Sequence, residues 1–249
     1  MGKWATAINC EVDVRRVVVL LGQVFDLERV EKVLAGAEVR IIHEEGGFFL
    51  EAPEITQAAD ATEARGCADA LARELSGLLS LEFTLATPLT AGSVIEIGDD
   101  GSRSVYGFAM AQAATAVAVA GMPTTTGDEH AQPRDRAIDV GLRQRSDPRV
   151  AEVAWFLAEG PSWVSIGKII DTVSDDVGSQ HLLREKNWIP KTDFRRITLT
   201  ANAKETAREG GRHAMEAISL SKSDLSPITL DEAWHALTRL VNAWLSDRA

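Results

Sequence analysis

Asn202, Arg208, Arg212 and His213 lie within one short stretch, Thr198 to Ala214, reading T-L-T-A-N-A-K-E-T-A-R-E-G-G-R-H-A. A guanidinium can clamp a phosphate bidentately and neutralise developing charge, while a neighbouring imidazole can act as a general acid or base near neutral pH. Arg208 and His213 are therefore the candidate catalytic pair, with Arg212 and Asn202 as candidate phosphate ligands, and together they have the chemistry of metal-independent RNA cleavage. Residues five apart diverge by about 140° around a regular helix, so this pair shares a face only if Gly210-Gly211 interrupts the helix. A structural reading stands beside the catalytic one: Arg208 and Arg212 pair with Glu205, Glu209 or Glu216, and His213 closes a turn.

Other chemistry is sparse. The chain has no G-x-S-x-G elbow, no phosphate-binding G-x-x-x-x-G-K-[ST] loop, no G-x-G-x-x-G after a strand and no H-E-x-x-H pair. His43 follows Ile41-Ile42 at a strand end and reads as structural, His130 falls in a linker, and His181 and His235 sit on amphipathic helices as surface or packing residues. Asp99-Asp100 and Asp175-Asp176 lack the further spaced oxygens that calcium or magnesium requires, so they are expected at a turn and a helix end. Cys10 and Cys67 have neither metal-ligand spacing nor the number for a disulfide framework. No metal and no cofactor is expected.

Those residues need a scaffold, and composition bounds it. The 249 residues are 45% hydrophobic and 25% charged, ordinary values for a folded chain of one large or two small domains. The net charge of -11 is uneven: residues 1–146 hold 13 basic against 22 acidic groups, and the remainder 13 against 15. Such a chain is poorly suited to sequence-independent nucleic-acid binding through a broad basic face, although a local patch can still hold a phosphate. Met1 to Asp13 lacks the apolar core of a signal peptide and no apolar run is long enough to span a bilayer, which points to a cytoplasmic protein without a membrane partner.

Periodicity predicts an α+β chain: an N-terminal mixed or antiparallel sheet with helices, then a helical bundle. Val17–Leu21 is a strand, Asp26–Leu34 a short helix, and Val39–His43 with Phe48–Glu51 a hairpin around Glu44-Glu45-Gly46-Gly47. Thr62–Leu79 is a helix, Leu81, Phe83 and Leu85 alternate, and Val94–Ile97 with Arg103–Phe108 form a second hairpin; Ala109–Ala120 leans towards strand. The composition of Met122–Ser146 is that of a linker, which divides an acidic α+β domain at 1–121 from a helical domain at 147–249. Asp147-Pro148 opens one helix, which Gly160-Pro161 ends. Further helices follow over Ser162–Asp175, with Val164, Ile166, Ile169, Ile170 and Val173 on one side, and over Ser179–Lys186 and Thr192–Ala201. Thr229-x-x-Glu232 is a capping box before a last helix carrying Leu237, Leu240, Val241, Trp244 and Leu245, and five tryptophans in this half predict an aromatic-rich core.

From Trp155 onward the chain resembles a family of uncharacterised bacterial proteins. Trp163, Ile169-Ile170, Asp176-Val177-Gly178, Asn187-Trp188, Thr200-Ala201-Asn202, Gly210, Arg212-His213, Glu232-Ala233 and Trp244-Leu245 carry the likeness, while the first half matches only in its order of elements. The helical half is also similar to the HEPN superfamily, in which some members are ribonucleases bearing an Arg, four to six residues and a His; Arg208 to His213 has that spacing. That resemblance implies phosphate contact for Arg208, catalysis for His213, a homodimer through the helical half, and a role in bacterial stress or phage defence, with RNA or a nucleotide, or another protein of the same system, as partner. The alternative is a non-catalytic interaction or ligand-sensing protein that dimerises through its helical half.

Overall fold

The computed structural model describes residues 14–44, 47–81, 88–108, 140–201 and 226–248. These fall into two compact units: residues 14–44, 47–72 and 89–108 make the first, and residues 73–81, 88, 140–201 and 226–248 make the second. The fold is α+β, with a sheet in the N-terminal part and helices through the C-terminal half.

In the first unit the strands are β1 (Arg15–Leu21), β2 (Arg40–Glu44), β3 (Gly47–Glu51), β4 (Thr90–Ile97) and β5 (Arg103–Tyr106), and the helices α1 (Val24–Val33), α2 (Pro53–Thr56) and the start of α3 (Ala61–Leu79). Among the described residues the strands form one antiparallel sheet in the order β2-β3-β1-β4-β5. The β2–β3 hairpin is where the sequence predicts it, with Glu44 paired to Gly47 at a φ of +139° that favours glycine. The second hairpin turns through Gly98–Ser102: Gly101 N–H donates to Gly98 O at 2.8 Å and the Asp100 carboxylate accepts from Ser102 N–H at 2.8 Å. β4 starts four residues earlier than its β-branched run suggests, since Thr90 and Ala91 pair with Leu21 and Leu20.

Alternation along the strands gives the sheet two faces. Val18, Leu20, Leu50 and Val94 occupy one face and are buried. Helix α1 packs on β2 and α2 on β1, adding buried Leu27, Val30 and Ile55. Asp60 accepts from Thr62 and Glu63 N–H at 2.8 Å, an N-cap arrangement that starts α3, and Ala64, Ala68, Leu71, Leu75, Leu78 and Leu79 are buried along it as its periodicity predicts.

The second unit holds the end of α3, then α4 (Pro148–Ala158), α5 (Trp163–Val177), α6 (Gln180–Glu185), α7 (Lys191–Ala201) and α8 (Leu230–Asp247). Four of these starts have a local cause. Asp147, Ser162 and Ser179 accept from backbone N–H groups as N-caps, Pro148 occupies the first turn of α4, and Thr229 with Glu232 forms the full capping box before α8. Helix α5 ends at Gly178, whose φ of +101° is left-handed. It is the central helix, packing against α4, α6, α7 and α8, and Ile166, Ile169 and Val173 on it are fully buried.

Two side-chain expectations need correction. Val164 is 44% exposed rather than part of the buried stripe of α5. Of the five tryptophans, Trp163 and Trp244 are buried, but Trp188 and Trp234 are only half-buried and Trp155 is 47% exposed under the Arg73 guanidinium, 3.8 Å from its ring centre. The core is thus mainly aliphatic. Of the 122–146 segment, residues 140–146 are described, opening with a helical turn that buries Val140 and Leu142. The strand expected over 109–120 lies outside the described residues. Among the described residues, no helix is long and apolar enough to cross a membrane.

Candidate functional site

The sheet face opposite α1 and α2 is apolar along its middle. Register places Val17 beside Ile95, and Val19, Phe49 and Ile42 in one row across β1, β3 and β2. Strands lie about 4.8 Å apart, so in a flat sheet the edge strands β2 and β5 would stand about 19 Å from each other. Yet Arg103 on β5 reaches Glu44 on β2 at 3.5 Å. Two side chains cannot bridge that distance, so the sheet is strongly coiled. The register shift in β1 between Val18 and Leu20 marks the irregularity that increases such twist. The face closes over Val17 and Phe49, which are buried, and leaves a small cavity of about 10 Å³, room for roughly one water, lined also by Ile42, Ile95, Ile97, Arg15, Arg103 and Glu44.

The same face carries a buried carboxylate. Glu51, 8% exposed, accepts from Arg15 Nε at 2.7 Å through Oε1. Its other oxygen, Oε2, lies 2.8 Å from a terminal nitrogen of Arg40, an ion contact without hydrogen-bond alignment. Two arginines therefore share one acid. Among the described residues Arg15 is engaged only through Nε, and Arg103 meets Glu44 at a length too great for a hydrogen bond, with both side chains about half exposed.

Asn202, Arg208, Arg212 and His213 lie outside the described residues. What is described is the frame on either side of them. Thr200, buried near the end of α7, accepts from Ile228 N–H at 3.3 Å, and Arg196 donates to the carbonyls of Ser226 and Pro227 at 3.1 and 3.0 Å. Residues 196–200 and 226–228 therefore meet at one corner of the helical unit. Around that corner Arg196 also faces Asp193 and Glu232, and Arg239 faces Asp193 at 3.7 Å.

A dense polar cluster among the described residues of the helical unit is structural in form. Arg248 pairs with Asp147, donates to Asp176 at 2.5 Å and to Gln144 at 2.7 Å, while Trp244 Nε1–H donates to Asp176 at 2.8 Å. These bonds fix the ends of α5 and α8 to the N-cap of α4. The Asp147 carboxyl is held below the usual carboxylate range, first by the Arg149 backbone N–H and then, against an opposing effect of burial, by the Arg248 charge. Sequence reasoning missed this group, because only Asp147 announces itself, as an N-cap.

The remaining candidates have ordinary partners. His43 stacks on Phe48 with ring centres 4.2 Å apart, His235 Nδ1 lies 2.8 Å from the Asp231 carbonyl, and His181 is exposed 3.5 Å from Glu185. Half-buried Cys67 has its thiol pushed up, by burial and then by Glu63 and Glu54, which makes it a poor nucleophile. Among the described residues no group of three or more His, Cys, Asp or Glu is arranged to hold a metal ion. No protein-family model, curated protein or solved structure matches this chain.

Proposed function

We propose that the protein is a non-catalytic ligand-sensing or interaction protein of the bacterial cytoplasm, with the coiled sheet as its receiving surface and the helical half as its dimerisation element. The observation that carries this reading is the pair of half-exposed arginines on one sheet face: Arg15 is engaged only through Nε and Arg103 meets Glu44 at 3.5 Å, too long for a hydrogen bond. Guanidinium N–H groups that the protein leaves unused can donate to a carboxylate of a ligand or partner. A short fluorescent peptide rich in Glu and Asp, titrated into the full chain at low salt, is expected to bind saturably at one site. Replacing Arg103, at an exposed edge position, by Gln should weaken it about tenfold through the lost charge-assisted bonds. Absence of saturable binding, or equal affinity in both proteins, overturns the reading.

The HEPN-like reading has its own support in the fixed ends of segment 202–225, since a motif tethered at both ends to one corner pays less to order its side chains. In it Arg208 and His213 cleave RNA without metal, Arg212 and Asn202 hold phosphate, and a two-fold dimer serves a stress or phage-defence system. Incubating a panel of single-stranded RNAs with the full chain in chelator distinguishes the two. Cleavage that disappears in His213→Ala, at unchanged melting temperature, would replace the non-catalytic reading by this one.

A further inference from the structure

Resting on the reading that Arg15 and Arg103 receive an acidic partner, we infer that Glu44 is that partner's internal competitor. It is the chain's own carboxylate in the partner's place on Arg103, and binding exchanges it for an aspartate or glutamate of an acidic peptide. Glu44 and Arg103 sit on the two outer strands of the sheet, β2 and β5, which no ladder joins among the described residues. Their side chains meet across the coiled face at 3.5 Å while 47% and 57% exposed. The other ion pairs of this sheet differ in kind. Arg15 bonds Glu51 and Arg16 bonds Glu96, both at 2.7 Å, and both acids are mostly buried. Breaking a short, desolvated pair leaves a charge buried, whereas a long, hydrated pair contributes little to the fold and separates readily.

Register explains why the exchange favours the partner. Arg15 on β1 lies opposite Ile97 on β4, and Ile97 lies opposite Arg103 on β5, so the two arginines flank Ile97 on one face. A guanidinium has five N–H donors in a planar fork, and Arg103 makes no hydrogen bond to Glu44. Arg15 gives Nε to Glu51, and its two terminal nitrogens make no hydrogen bond among the described residues. An incoming carboxylate, not tethered to the opposite edge as Glu44 is, can meet Arg103 in the bidentate geometry that strengthens such pairs. A peptide with several acids also brings a second carboxylate to Arg15. Charge restricts the exchange to such partners. Arg15, Arg40 and Arg103 stand against Glu44 and Glu51, an excess of one positive charge on a chain whose net charge is -11. A lone acid is repelled by the whole molecule and faces Glu44 as an equal, whereas linked acids act at a raised effective concentration.

The test titrates the fluorescent Glu- and Asp-rich peptide into the full chain and its variants at low salt. Glu44→Gln should tighten binding about threefold, the scale of one exposed ion pair. Glu38→Gln removes the same charge from an exposed position shortly before β2 and should tighten it clearly less. In an Arg103→Gln background, Glu44→Gln should have no effect, because the competitor then has no cation to hold. Glu44→Asp keeps the charge but shortens the reach to Arg103, so it should also tighten binding, and it carries the test if Glu44→Gln fails to fold. Unchanged or weaker binding in both Glu44 variants overturns the inference while the receiving arginines stand. So does an equal gain in Glu38→Gln, or a gain that persists in the Arg103→Gln background, since either makes Glu44 one surface charge among many. Failure of the peptide to bind the native chain saturably removes the receiving surface and the inference together.

Discussion

At the scale of single residues, Asp147 joins two functions that the chain separates widely. It caps α4 through the Arg149 N–H at 2.8 Å and pairs with Arg248, 101 positions away. Its folded carboxyl titrates below the unfolded value near 3.9, so its stabilisation is complete above that value and is lost as pH falls through the folded one. Asp147→Asn should therefore be less stable than the native chain at pH 7, and the difference between them should shrink as the pH is taken from about 5 to 2, as read from urea midpoints across that series. A constant difference would show that the carboxylate charge is not what matters. Asp147 as a cap was legible because its partners are two and three residues along; its bond to Arg248, and the Asp176 bonds to Trp244 and Arg248, were not, because nothing local encodes a contact across 68 or 72 positions. The same holds for Arg15 and Glu51, 36 apart, whereas the pattern that looked most chemical, Arg208 to His213, falls where the structure is not described.

At the scale of elements, one close helix contact is made by a glycine. A Cβ built on Gly77 of α3 would stand 1.9 Å from the Ala154 carbonyl oxygen of α4, against backbone that no rotamer can move aside. Gly77→Ala should cost about 2 kcal/mol or more through overpacking, more than the roughly 1 kcal/mol that alanine gains over glycine in a helix. A chemical-denaturation midpoint that does not fall would mean the two helices are not seated as described. Hairpins and capped helices were readable because turn glycines, Asp100, Thr229 and Glu232 act within a few residues. The place of β1 in the middle of the sheet was not, since any apolar strand can take a central position until its partners are known. Helix α2 escaped because Pro53–Thr56 is a single turn, too short for periodicity, and Val164 and Trp155 show that a helical stripe locates a helix better than it fixes the edges of its buried face.

At the scale of the whole molecule, the two units are interleaved along the chain. The division falls inside α3, after Ala72, and the chain then returns to the first unit for β4 and β5 before completing the second. A fragment spanning 147–249 therefore lacks Leu75, Leu78 and Leu79, which are buried in the intact protein, and it should unfold without a cooperative transition under conditions where the full chain melts sharply. A sharp transition in the fragment, followed by near-ultraviolet circular dichroism, would show that the α3 end is dispensable. The interleaving also sets an order of events at the ribosome. The α3 end emerges well before α4 to α8 exist, so its leucine face waits, unsheltered, for the length of the intervening translation. That interval, at synthesis rates of about 5–20 residues per second, makes the α3 end the natural landing place for a chaperone on the nascent chain.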